Sequence, residues 1–165
     1  MKLPKEYVIV EIIPSHSKAY FGFIVQLQAL KVKDDMIIGR LDLRVDESLV
    51  NNYDLLNMTS YDKEMFKYTK KRNTILDDFK KFIGDDKLLI IDNAYTEDYL
   101  SEIDNEKESV FKYMGLKYSE DVFDIMIEKY QLIPSNHLVD LLYEALMFEK
   151  NDPSKKTKQF KKEVK

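Results

Sequence analysis

Apolar positions along the chain come in short runs broken by polar residues, and the spacing within each run predicts its element. Tyr7–Ile13 reads Tyr-Val-Ile-Val-Glu-Ile-Ile between Pro4 and Pro14, a β-branched run suited to a buried strand. Tyr20–Val32 is a second β-rich stretch and Lys33-Asp-Asp a polar turn. Met36–Val45 follows, with Ile38, Leu41, Leu43 and Val45 as its expected inward residues. Two β-rich runs joined by a short polar turn predict an antiparallel hairpin. The chain therefore opens on a three-stranded meander.

The period then lengthens. Thr74–Ile83 places Ile75, Leu76, Phe79, Phe82 and Ile83 at helical spacing, and Gly84 stands where a helix C-cap is expected. Lys87–Ile91 predicts a short buried strand, and Thr96–Ile103 a helix. Asp121–Tyr130 is amphipathic, with Val122, Phe123, Ile125, Met126, Ile127 and Tyr130, and Pro134 stops it. Asn136–Glu149 carries Leu138, Leu141, Leu142, Ala145 and Phe148 on one stripe, which reads as core packing. The order βββ, α, β, α, α, α implies an α/β fold in which a mixed sheet is flanked by helices.

Composition narrows the chemistry. The 165 residues fit one domain with a core of its own. With no cysteine, disulfides, cysteine-ligated zinc and a cysteine nucleophile are excluded. Two histidines, His16 and His137, leave little material for a Ser-His-Asp triad. Oxygen ligands from Asp and Glu are the remaining metal chemistry, which suits magnesium, manganese or calcium. The first residues contain no long apolar stretch, and no run approaches the roughly 20 residues of a membrane span. A cytoplasmic protein without membrane contact is expected.

Charge is unevenly placed. Residues 150–165 hold seven Lys against Asp152 and Glu163, a net +5, which leaves −9 on the remainder. The reading divides the chain into a domain over 1–150 and a basic, flexible tail over 151–165. An acidic body does not grip nucleic acid broadly. Within it the main basic band is Lys63, Lys67, Lys70, Lys71 and Arg72, a solvated helix face or a local nucleic-acid contact.

Several acids stand out. Glu11 interrupts an apolar strand, where a carboxylate is costly to bury unless paired or metal-bound. It could instead lie exposed at a strand end. Asp92, Glu97 and Asp98 cluster between a strand end and a helix start, where ligand sites form in α/β sheets, but where acids also serve as caps. Asp140 lies on the last helix off its apolar stripe, an ordinary place for a surface acid.

The order of these segments resembles the DEDDh family of 3′–5′ exonucleases, the ribonuclease T and DNA polymerase III ε-subunit type with a ribonuclease H-like fold. Val10-Glu-Ile-Ile-Pro-Ser-His16 stands where that family reads Phe-Asp-x-Glu-Thr-Thr-Gly. Phe23–Arg44 resembles its next strands, with Leu27–Ile38 at its Ile-Gly-Ala-Val-Lys-Val-Lys-Asp-Gly hairpin. Thr59–Met65 resembles its Thr-Gly-Ile-Thr-x-Glu-Met turn, and Leu76–Gly84 its helix ending in Phe-Ile-Gly. Asp92-Asn-Ala-Tyr-Thr-Glu97 is similar to His-Asn-Ala-x-Phe-Asp, and Ser135-Asn-His-Leu-Val-Asp-Leu141 to the closing His-Asn-Ala-Leu-x-Asp-Ala helix. The resemblance spans about residues 6–150.

That resemblance implies a two-metal phosphodiester hydrolase site, with four carboxylates and a histidine base. Carried across, Glu11 takes the first carboxylate position and Asp140 the fourth. Glu97, or Asp98 with a one-residue gap, takes the third. Ile13 stands at a lost carboxylate position and Ser135 at the lost histidine position. The implied catalytic set is Glu11, Glu97 and Asp140, and the implied metal set is Glu11, Glu97, Asp98 and Asp140, with Mg2+ or Mn2+ if a site persists. Loss of a base alone removes roughly 10²–10⁴-fold in rate. The expectation is an inactive or weakly active exonuclease-like domain that binds a single-stranded 3′ end or a protein partner. Lys67, Lys70, Lys71 and Arg72 would be its nucleic-acid contacts. The alternatives are a working metal-dependent exonuclease with a rearranged site, and a protein-interaction module.

Overall fold

The computed structural model describes residues 2–19, 22–44 and 74–152. The Thr59–Met65 segment, the basic band at residues 63–72 and the tail from residue 153 lie outside them.

The strands follow the two-residue period. β1 (Glu6–Pro14), β2 (Ile24–Lys33) and β3 (Met36–Arg44) form the expected antiparallel meander. The β2–β3 turn holds Asp34 and Asp35 at φ of 50° and 67°, the left-handed pair that closes a two-residue hairpin loop. α1 (Ile75–Ile83) ends at Gly84, whose φ of 53° suits a residue without a Cβ. β4 (Lys87–Ile90) pairs in parallel with β1. Then come α2 (Thr96–Tyr99), β5 (Lys107–Ser109), a 3-10 turn (Val110–Met114), α3 (Val122–Tyr130) and α4 (Leu138–Lys150). The sheet order is β3-β2-β1-β4-β5.

Alternation along the strands gives two cores. Val8, Val10, Leu27, Ala29, Leu88 and Ile90 meet Ile75, Phe79 and Ile83 of α1 and Tyr99 of α2 on one face. Tyr7, Ile9, Leu30, Val32 and Leu89 meet Val122 and Met126 of α3 and Val139, Leu142, Ala145 and Leu146 of α4 on the other. The mixed sheet is thus covered by helices on both faces.

Four details depart from the pattern reading. Ile38 was expected inward but is exposed. In the register Lys31 faces Gly39 and Val32 faces Ile37, so Ile38 is the extra residue of a β-bulge and the alternation shifts around it. Phe148 is exposed, while Leu141, Leu142 and Ala145 of the expected stripe are buried together with Val139 and Leu146. α2 stops after four residues rather than reaching Ile103, where Asn105 Nδ2 donates to the carbonyls of Gly84 at 2.9 Å and Asp86 at 2.8 Å. β5 is an additional strand, three residues long and parallel to β4.

Candidate functional site

Odd-numbered residues of β1 point to the α3–α4 face, so Glu11 follows Tyr7 and Ile9 into that layer. It lies in mid-strand, buried, with register partners Gln28 on β2 and, one strand further, Asp42 on β3. Its Oε2 has no hydrogen-bond partner. Burial, and secondarily the nearby Asp42 carboxylate, push its pKa up to about 8. A carboxyl group so placed is held neutral at pH 7, because removal from water penalises the charged form. Glu11 lines a cavity of about 110 Å³ together with Asn93, Tyr95, Thr96, Tyr118, Phe123 and Leu138.

The neighbouring rows carry charge that the sequence reading did not single out. Ile13, Gln26 and Arg44 share one row; Ile9, Leu30 and Arg40 share another. Successive rows on one face lie about 7 Å apart. Asp42 accepts hydrogen bonds from Gln26 Nε2 and Arg44 Nε, each at 3.1 Å, and is also paired with the Arg44 guanidinium. Arg44 is buried and Asp42 is exposed, so the ion pair is desolvated on the arginine side and held by several hydrogen bonds. The signal was present as the alternation Arg40-Leu-Asp-Leu-Arg44, which puts three charges on one face of a strand.

Asp140 comes to the same face from the first turn of α4. Its Oδ1 lies 2.7 Å from Arg40 Nη1, an ion pair between helix and edge strand. Ser135 is exposed and its Oγ accepts from the His137 backbone N–H at 3.1 Å. His137 is exposed at the N-terminal boundary of α4. Ile13 is partly buried in β1.

Past β4 the acids diverge. Asn93, not an acid, caps α2: its Oδ1 accepts from Thr96 N at 2.9 Å, Thr96 Oγ1 at 2.6 Å and Tyr95 N at 3.3 Å. Asp92 Oδ1 accepts from Ser109 Oγ at 2.7 Å, which links the ends of β4 and β5. Glu97 and Asp98 are both exposed. Asp98 lines a separate cavity with Phe23, Ile75 and Tyr99, on the α1 side. A larger cavity of about 780 Å³, lined by Tyr130, Tyr143, Met147 and Phe148, lies between α3 and α4 without any of these acids.

A two-metal centre needs several anionic oxygens converging on one point. Among the described residues no group of three or more acids or histidines could hold a metal ion. Ile13 offers no ligand, and Asp140 is ion-paired with Arg40. The donor set does not fit Mg2+ or Mn2+ at this place.

No family model matches the chain. Its architecture nevertheless superposes on exonuclease X in complex with 5′-overhanging duplex DNA, with a TM-score of 0.60 at 12% identity over 88% of this chain and 92% of that one. The zinc-bound complex of E. coli exonuclease I with single-stranded DNA gives 0.62 at 10% identity, over 92% of this chain and 42% of that one. The fold is that of the DEDDh-type exonucleases. The exonuclease fold extends to the RNase domain of the yeast Pop2 protein, at a TM-score of 0.56 and 10% identity, over 88% of this chain and 76% of that one. Two curated proteins match in sequence, both named DNA polymerase III PolC-type. That of Halalkalibacterium halodurans is 31% identical over 94 residues, 56% of this chain; that of Latilactobacillus sakei is 23% identical over 144 residues, 80% of this chain. The chain spans 6% and 10% of those polymerases, so what is shared is a small part of much longer proteins.

Proposed function

We propose that this exonuclease-fold domain does not hydrolyse phosphodiesters and acts by binding a single-stranded nucleic-acid end. The observation that carries the reading is the state of its two best-placed acids. Asp140 is ion-paired with Arg40 at 2.7 Å, and Glu11 is buried with an unpartnered oxygen. Arg40 occupies the Asp140 oxygen, Ile13 supplies no ligand beside Glu11, and Ser135 is a weak base in place of histidine. A nucleic-acid end as the ligand is supported by fold neighbours solved with 5′-overhanging duplex DNA and with single-stranded DNA. It is also supported by Arg40, which β3 places, exposed, on the same face of the sheet as Glu11.

The test is incubation of a 3′-labelled single strand with the purified chain, in Mg2+ and separately in Mn2+. The expected result is a strand of unchanged length that co-migrates with the protein. Shortening that disappears in Asp140→Ala would establish a working exonuclease with a rearranged site and remove this reading.

A further inference from the structure

The poor fit of metal to this cleft leaves an electrostatic question. A phosphodiester chain entering a carboxylate-lined site is repelled unless cations stand there, and in a two-metal site the ions supply that charge. Here β3 directs Arg40, Asp42 and Arg44 to the face that carries Glu11, on alternate positions of one strand. Asp42 is exposed but held by the buried Arg44, and the two neutralise each other. Arg40 differs. It is 59% exposed, and its partner Asp140 is 32% exposed.

From this we infer that Arg40 is the resident cation of the sheet face that carries Glu11: it holds Asp140 in a metal's stead and passes to a phosphate of the bound strand. The inference rests on the nucleic-acid-end reading above and adds its recognition element. A guanidinium presents five donors in a planar fork, so one edge can stay near a carboxylate while the other takes phosphate oxygens. An exposed ion pair contributes little by itself, so exchanging Asp140 for a phosphate has a low cost. Asp140 then competes with the strand for Arg40. Its removal has a sign opposite to that expected of a metal ligand.

The experiment is fluorescence anisotropy of a short labelled single strand with the full chain in EDTA, over a range of salt. Wild type should bind without metal. Arg40→Met, which keeps the aliphatic stem, should weaken binding about tenfold and lower the salt slope by about one unit. Arg40→Lys should retain most of the affinity, and Asp140→Asn should tighten binding severalfold. Thermal melts of each variant check that the fold is intact. Binding in EDTA that ignores both residues, or that Asp140→Asn weakens, overturns the inference alone. Binding that requires Mn2+ overturns it in favour of a metal. No binding by any variant under any condition removes the nucleic-acid reading and this inference together.

Discussion

Glu11 shows how much one methylene-extended acid in a strand can decide. Its folded pKa of about 8 exceeds the ordinary value of 4.5. The folded form therefore keeps a proton that the unfolded chain releases between those values. Its stabilising contribution is complete below about pH 4.5 and is lost as pH rises towards 8, a change on the order of a few kcal/mol at 1.36 kcal/mol per pKa unit. Wild type should lose urea resistance between pH 5 and pH 8 relative to Glu11→Gln, which has no proton to release. Parallel pH curves for the two proteins would mean that Glu11 is solvated in solution. Asn93 makes a second residue-scale case. Asn93→Ala should cost about 1–2 kcal/mol, read from thermal or urea melts, because three donors lose one acceptor. The sequence showed Glu11 as an anomaly, since an acid among β-branched residues breaks the pattern by itself. It did not show Arg40 with Asp140, because that pair joins positions a hundred residues apart and each alone looks like an ordinary surface charge.

At the scale of elements, long periodic runs were legible and short or irregular ones were not. The meander, α1 with its glycine cap, β4, α3 and α4 follow from spacing and breakers. β5 has only three residues, too few to display a period, and exists because the end of β4 offers it a parallel edge. α2 gives way after Tyr99 to the tighter turns Ser101 N to Asp98 O and Ile103 N to Leu100 O. Asn105 then anchors the loop to Gly84 and Asp86, a tertiary contact that no local propensity encodes. The bulge at Ile38 breaks the alternation, so Ile37 packs on the α3–α4 face although it is in phase with Leu41 and Leu43 of the other face, and Ile38 is left exposed. Ile38→Thr should therefore change stability by no more than about 0.5 kcal/mol. Ile37→Thr, whose side chain packs against the α3–α4 core, should cost more than about 1 kcal/mol. The shift in urea midpoint separates the two.

For the whole molecule, the sheet divides the apolar interior into two layers with separate contact sets. Ile9→Val in one and Ile83→Val in the other should each cost about 0.5–1.5 kcal/mol, and the double variant should equal their sum within about 0.5 kcal/mol. A large coupling term in urea unfolding would mean that the layers communicate through the sheet. The overall architecture was legible because the order of strands and helices is carried by many apolar positions at once, not by any single site residue.

Position in the sheet gives β3 one more property. Among the described residues it is an outermost strand, with Met36 and Ile38 exposed along it, and a flat apolar edge invites pairing with the same edge of another molecule. The kink at Ile38 and the charges of Arg40 and Asp42 spoil that template. A chain lacking Ile38 would present a straighter ladder. On mild heating it should scatter light well before wild type does, failing by strand-to-strand aggregation rather than by loss of its core.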